Sequence, residues 1–204
     1  MSREAEVVRS LVEMAETLVD DYDSVVLLTG LADRGVNVLG VSAAGVMLAS
    51  PEGSLGLVAS SSEAMRLLEL FELQAQEGPC LDAFRTGERV EHEDLAAGSG
   101  RWPSFSKAAV GAGFRSASAL PLRWREMTLG ALNLFSVTQT PMGEADAIVA
   151  RAFADLATVS IVQHRANAEA ERVNEQLSGA LTSRLVIEQA AQAQHRFAEQ
   201  GGAQ

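Results

Sequence analysis

Apolar positions recur along this chain with two periods, and the places where one gives way to the other divide it into elements. Val7, Val8, Leu11, Val12, Met14, Ala15 and Leu18 fall at helical spacing and predict a helix over 3–19 with one apolar stripe. Asp20, Asp21 and Asp23 punctuate its end and offer an N-cap to the next segment. Val25, Val26, Leu27 and Leu28 fit the start of a buried strand, but Leu31, Val38 and Leu39 continue a helical period, so 24–40 is read as a helix weakened by Gly30 and Gly35. The runs 41–50 and 56–60 flank the turn Pro51-Glu52-Gly53-Ser54 and predict a hairpin. Ser61 or Ser62 then caps a helix reaching Gln74, with Met65, Leu67, Leu68, Leu70 and Phe71 as its apolar positions. Gly78-Pro79 breaks it, Cys80 to Phe84 forms one short helical turn, 90–93 is a short strand, and Trp102-Pro103 opens another helix.

Residues 113–135 carry the most information, because they predict two paired strands with no polar face. Leu120, Leu122 and Trp124 alternate with Ala117, Ala119 and Pro121, and Leu132 and Leu134 alternate with Leu129, Ala131 and Phe135. An antiparallel pair normally shows water one polar side, so this one must be covered twice, by helices on one side and a cap of loops on the other. Small residues at Ser116, Ala117, Ser118, Ala119, Gly130 and Ala131 leave volume beside the sheet that a close-packed helix or a bound ligand must fill.

From Gly143 the character changes. Residues 144–200 hold no proline and one glycine, Gly179, and predict a long helical tail. Its stripe of Ile148, Val149, Ala152, Phe153, Leu156, Val159 and Val162 belongs with the preceding domain; beyond it Val173, Leu177, Ala180, Arg184 and Ile187 step by four and three, as in a coiled-coil seam. The expected organisation is an N-terminal helix over 1–20, a mixed helix-and-strand domain over 21–163 and a helical tail over 164–204. The expected class is α+β, an antiparallel sheet between helices and a capping pocket.

Composition narrows the functional classes. The net charge of −11 repels phosphate backbones unless basic residues gather locally, and no such gathering is found. A single cysteine, Cys80, excludes an internal disulfide and a cysteine-rich zinc site and fits a reducing, cytoplasmic compartment. The first ten residues lack a signal-peptide core, and no apolar run approaches the roughly 20 residues of a membrane helix, so no membrane partner is expected.

Four blocks, Glu77-Gly78-Pro79-Cys80-Leu81-Asp82-Ala83-Phe84-Arg85-Thr86-Gly87, Arg101-Trp102-Pro103, Gly113-Phe114-Arg115-Ser116 and Leu129-Gly130-Ala131-Leu132-Asn133-Leu134-Phe135, resemble the GAF domains of actinobacterial GAF and ANTAR transcription antitermination regulators. The resemblance covers about residues 20–163. It implies a PAS-like small-molecule sensor with helices on one side of a sheet and a ligand pocket on the other, followed by a helical ANTAR module that binds RNA hairpins. Asn174-Glu175-Gln176-Leu177 and the run Leu181-Thr182-Ser183-Arg184-Leu185-Val186-Ile187-Glu188-Gln189-Ala190 resemble the opening of that module, and the rest of it is missing before Gln204. From Gln163 onward Arg165, Arg172, Arg184 and Arg196 face Glu169, Glu171, Glu175, Glu188 and Glu199, an acidic balance that argues against RNA binding by this chain.

The candidate ligand site gathers Phe71, Cys80, Trp102, Phe105, Phe114, Ser116, Ser118 and Leu132, with Met47 at its floor and Arg101 and Arg115 able to meet an anion or to form surface ion pairs. Each of the eight also fits an ordinary core position. Cys80 near a helix start fits a redox sensor or nucleophile, or a buried small hydrophobe; the free methionine sulfoxide reductases, an enzymatic GAF class, need more than one cysteine. His92, His164 and His195 have no metal-ligand spacing, and haem ligation by His92 is a remote alternative. Asp82, Glu91 and Glu93 are the nearest approach to paired carboxylates and read as loop acids. The expectation is therefore a non-enzymatic sensor of an unidentified small molecule, with no cofactor assigned. It would act as a homodimer through its first helix and its tail, the latter at Val173, Leu177 and Ile187, or as a mixed dimer with an intact paralogue. The alternatives are an enzyme or redox sensor using Cys80, and a purely structural dimerisation module.

Overall fold

The computed structural model describes residues 3–17, 24–97, 100–139 and 141–201, with the side chains at 17, 24 and 177–201 outside the description. The expected cap residues Asp20, Asp21 and Asp23 and the side chains of Leu177 and Ile187 therefore lie outside the described residues. In chain order the elements are α1 (Arg3–Thr17), α2 (Ser24–Leu39), β1 (Ala43–Ala49), β2 (Leu55–Ser60), α3 (Glu63–Ala75), α4 (Pro79–Thr86), β3 (Val90–His92), a 3₁₀ turn (Leu95–Ala97), α5 (Pro103–Gly111), β4 (Ser116–Trp124), β5 (Met127–Ser136) and α6 (Glu144–Gly201). The chain divides into two compact units, Met1–Val162 and Gln163–Gln204.

The α2 segment resolves its ambiguity in favour of helix. Leu28, Leu31, Ala32, Val38 and Leu39 are buried at helical spacing, and a strand would have sent half of them outward. The five strands form one antiparallel sheet in the order β2-β1-β5-β4-β3. β4 and β5 pair from Ser116 opposite Ser136 to Trp124 opposite Met127, which leaves the apolar hairpin at the sheet centre.

Both faces are packed, as the absence of a polar side requires. On the first, Ala44, Val46, Leu120, Leu122, Leu132 and Leu134 meet Met14 of α1, Leu28 and Leu31 of α2, and Phe153, Ala157 and Ile161 of α6. The buried stripe of α6 is rotated from the expected one: Ala150, Phe153, Ala154, Ala157 and Ile161 face inward while Ile148 is 67% exposed and Val159 43%. Small alanines let the helix lie close to the sheet, and the bulkier Ile148 and Val159 are left outside. On the second face Ala43, Met47, Ala117, Ala119, Ala131 and Phe135 meet Met65 and Leu68 of α3, Cys80 and Ala83 of α4, and Trp102, Phe105 and Ala109 of α5. This cover is chiefly helical, where the sequence led us to expect loops. Ser62 caps α3 through a bond from the Met65 amide, and prolines occupy the first turns of α4 and α5, so each short segment between breaks still winds a helix.

Candidate functional site

The residues expected to form one ligand pocket divide between the two faces of the sheet. Cys80, Trp102, Phe105 and Phe114 pack with Met47 beneath α3, α4 and α5. Leu132 packs on the opposite face against α1, α2 and α6. Ser116 and Ser118 share the strand parity of Leu120 and Leu122 and point to that same side. Phe71 is half-buried on α3. The aromatic members are packed on one another, with the rings of Phe105 and Phe114 centred 6.0 and 5.3 Å from that of Phe135, so on the cap face the space beside the small strand residues Ala119 and Ala131 is taken up by side chains of the chain itself.

The blocks of sequence around this cap are tied together by carboxylates. Glu77, just after α3, accepts the backbone N–H groups of Ser104 and Phe105 in the first turn of α5. Asp82 on α4 accepts from Arg101 Nε at 3.0 Å and from Trp102 Nε1 at 2.9 Å. Arg101 also lies over the Trp102 ring at 4.8 Å, so it is engaged in a surface ion pair and a cation–π contact. Arg115 is half-buried just before β4, where its backbone N–H donates to the Ser136 carbonyl. Glu72 on α3 reaches the start of α4, where its Oε1 accepts from the amides of Cys80 at 2.7 Å and Leu81 at 3.2 Å.

Glu72 belongs to a buried polar group that the sequence reading missed. The inward stripe of α3 is Met65, Leu68, Glu69 and Glu72, and both glutamates are 0% exposed, while Leu67, expected inside, is 55% exposed. Glu69 Oε1 accepts from Asn133 Nδ2 of β5 at 2.9 Å, and Asn133 is itself fully buried. Space for the two carboxyls is reserved by glycine. A Cβ on Gly45 would overlap the Glu69 carboxyl, and one on Gly78, whose φ of +153° also disfavours a side chain, would overlap that of Glu72. The signal in the sequence was the pair of acids at i,i+3 inside an apolar helix, together with an asparagine in an otherwise apolar strand.

Burial dominates the electrostatics here. It pushes Glu69 up to about 8 against the bond from Asn133, with the nearby Glu72 charge adding to the rise. It pushes Glu72 up to about 8 against the two backbone amides it accepts, with Asp82 contributing in the same direction. Both side chains are therefore mainly neutral acids at pH 7. Glu69 Oε2, Glu72 Oε2 and Asn133 Oδ1 are buried with no hydrogen-bond partner in the structure. Such atoms are costly to bury, by about 1–3 kcal/mol each, unless something meets them.

Cys80 lies against this group and is completely buried. Burial, reinforced by Glu72, holds its thiol well above the usual range, outweighing the position at a helix start that would have lowered it. His164 is exposed, the side chain of His195 lies outside the described residues, and the His92 ring lies 5.7 Å from that of Trp102, tilted by 51°. Among the described residues no cluster of three or more His, Cys, Asp or Glu side chains is arranged to hold a metal ion. Nor is any described helix long and apolar enough to cross a membrane.

Known structures share this arrangement. The GAF domain of a phosphoenolpyruvate-protein phosphotransferase from Coxiella burnetii superposes with a TM-score of 0.65 at 14% identity, covering 82% of this chain and 99% of that one. Free methionine-R-sulfoxide reductase from Neisseria meningitidis, in complex with its substrate, gives 0.63 at 20% identity over 82% and 95%. The phycocyanobilin-bound GAF domain of a cyanobacterial phytochrome gives 0.60 at 15% identity over 82% and 97%. At these identities the likeness concerns the fold. None of the curated proteins compared with the chain matches it. A family model described as the GAF domain matches residues 23–162, which run from the start of α2 into α6 and take in the whole sheet and the cap helices α3 to α5, and the chain belongs to the GAF domain family.

Proposed function

We propose that this chain is a small-molecule-sensing regulatory protein, related to the GAF and ANTAR antitermination regulators, that works as a dimer and whose residues beyond Gln163 do not themselves bind RNA. The observation that carries the sensing role is the group of Glu69, Glu72 and Asn133, three buried side chains each with an oxygen atom left unpartnered beneath α3 and α4. A compact ligand with oxygen acceptors for the protonated Oε2 atoms and an N–H or O–H donor for Asn133 Oδ1, admitted as the cap helices part from the sheet, would meet those atoms and shift α4 through Glu72. The same fold holding a bilin in the phytochrome domain supports a ligand-bearing role. The burial and raised pKa of Cys80 weigh against its use as a nucleophile. For the dimer, Val8 and Val12 sit one turn apart on α1 at 58% and 50% exposure, and Val173 is 41% exposed. The acidic balance beyond Gln163 supports a partner-mediated effect in place of direct RNA contact.

Native mass spectrometry of freshly purified protein tests both halves. A dimer carrying an added small mass, lost in the Glu69→Ala/Glu72→Ala variant, is the expected result. A bare monomer whose melting temperature responds to no member of a metabolite panel would overturn the reading.

A further inference from the structure

A second site lies on the other face of the sheet, away from the cap. A cavity of about 140 Å³ opens where the ends of β3, β4 and β5 meet the end of α2 and the start of α6. At ~30 Å³ per water it has room for about four or five waters, or one molecule of comparable size. Its floor follows from strand register: Glu91 pairs across with Ser118, and Ser118 with Leu134. Thr138, Pro141 and Met142 line its rim, and two of them are fastened to the strands. Ser116 Oγ donates to the Thr138 carbonyl at 2.9 Å, and the Met142 amide donates to Glu91 Oε1 at 3.2 Å.

Two features point to a ligand. Ser118 lines the cavity at 5% exposure, and its hydroxyl has no partner in the structure. A buried hydroxyl beside a roomy polar space is either met by a guest or left at a cost of about 1–3 kcal/mol. The charge of the wall is one-sided: Glu91, Glu93 and Asp146 line the cavity, with no lysine or arginine among the described lining residues. Arg89 offsets Glu91 and Arg3 offsets Asp146, whereas Glu93 has no ion-pair partner among the described residues. Anions are repelled, and a cation is attracted to the mouth. Leu39, Val41 and Leu134 give the interior an apolar wall suited to a few methylenes.

We propose that this cavity is a binding site for a small primary ammonium compound with a short hydroxylated chain, its ammonium on Glu93 and its hydroxyl on Ser118. The probe is 4-amino-1-butanol, titrated into the full chain and followed by amide NMR and calorimetry, with 1-butanol and 4-hydroxybutyrate as matched neutral and anionic controls. Binding should move the amides of Glu91, Ser118 and Thr138, and both controls should bind at least about tenfold more weakly, as expected for a lost hydrogen bond to a charged group. Glu93→Gln, on an exposed side chain that the fold does not need, should weaken the amine by about tenfold, and Ser118→Ala by roughly two- to tenfold. Ser118→Leu should fill the cavity and abolish binding. The proposal is overturned if 4-hydroxybutyrate binds as tightly as the amine, if Glu93→Gln and Ser118→Ala both leave affinity unchanged, or if no probe shifts those amides.

Discussion

Raising the pH should destabilise this protein across the neutral range, and the buried acids of α3 set the size of the effect. Glu69 and Glu72 titrate near 4.5 when exposed and are pushed up to about 8 in the fold. Because the folded value lies above the unfolded one, the stability linked to each proton is complete below the unfolded pKa and is lost as pH climbs through the folded pKa. Between the two values each group removes about 1.4 kcal/mol per pH unit. For the pair that comes to roughly 4–5 kcal/mol between about pH 6 and pH 8, a ceiling because local opening lets water reach the carboxylates. A domain holds only about 5–15 kcal/mol in total, so the effect is large. Urea unfolding followed by circular dichroism at several pH values in this window measures it. The isosteric Glu69→Gln/Glu72→Gln variant keeps Oε1-type acceptors for Asn133, Cys80 and Leu81 but cannot ionise, and its stability should be nearly flat over the same window. A wild-type curve that is flat from pH 6 to 8, or a slope that survives unchanged in the double variant, would refute the reasoning.

Gly45→Ala drives a methyl into the Glu69 carboxyl and should destabilise by about 1–3 kcal/mol in urea unfolding, part of it recovered on combination with Glu69→Ala. Cys80 should resist alkylation by iodoacetamide in the native state and react promptly once unfolded in urea, since it is fully buried with a raised pKa; prompt native labelling at neutral pH would restore the redox reading. A chain ending at Gln163 should fold with an unchanged near-ultraviolet spectrum yet sediment as a weaker dimer than the full chain, and equal dimerisation would remove the tail from the interface. The full chain should not retard a two-hairpin RNA in a gel at physiological salt, and tight salt-dependent binding would overturn the reading of its tail as non-binding.

The hairpin of β4 and β5 was legible because a strand pair apolar on both sides has few ways to be satisfied, and the same logic required two covering layers. The period of α2 also held, since burial at Leu28, Leu31 and Leu39 outweighed two glycines. The site was less legible, for two reasons. Alternation shows that Ser116 and Ser118 differ in face from Ala117 and Ala119, but not which face meets which helices, so residues on opposite sides of the sheet were assigned to one pocket. Reading α3 by its apolar residues alone placed Leu67 inside and left Glu69 and Glu72 on solvent. The reverse is found, because the glycines at 45 and 78 and the amide of Asn133 make an interior place for acids that only the fold brings together.

The carboxylates at the end of α3 have a further consequence. Glu72 holds the opening amides of α4 and Glu77 those of α5, so two later helices are anchored to one short stretch of chain. Helices held this way cannot fray one at a time without exposing the others' ends. In native-state hydrogen exchange the amides of Cys80, Leu81, Ser104 and Phe105 should share a single opening free energy, a cooperative folding unit whose boundaries are drawn by two glutamates.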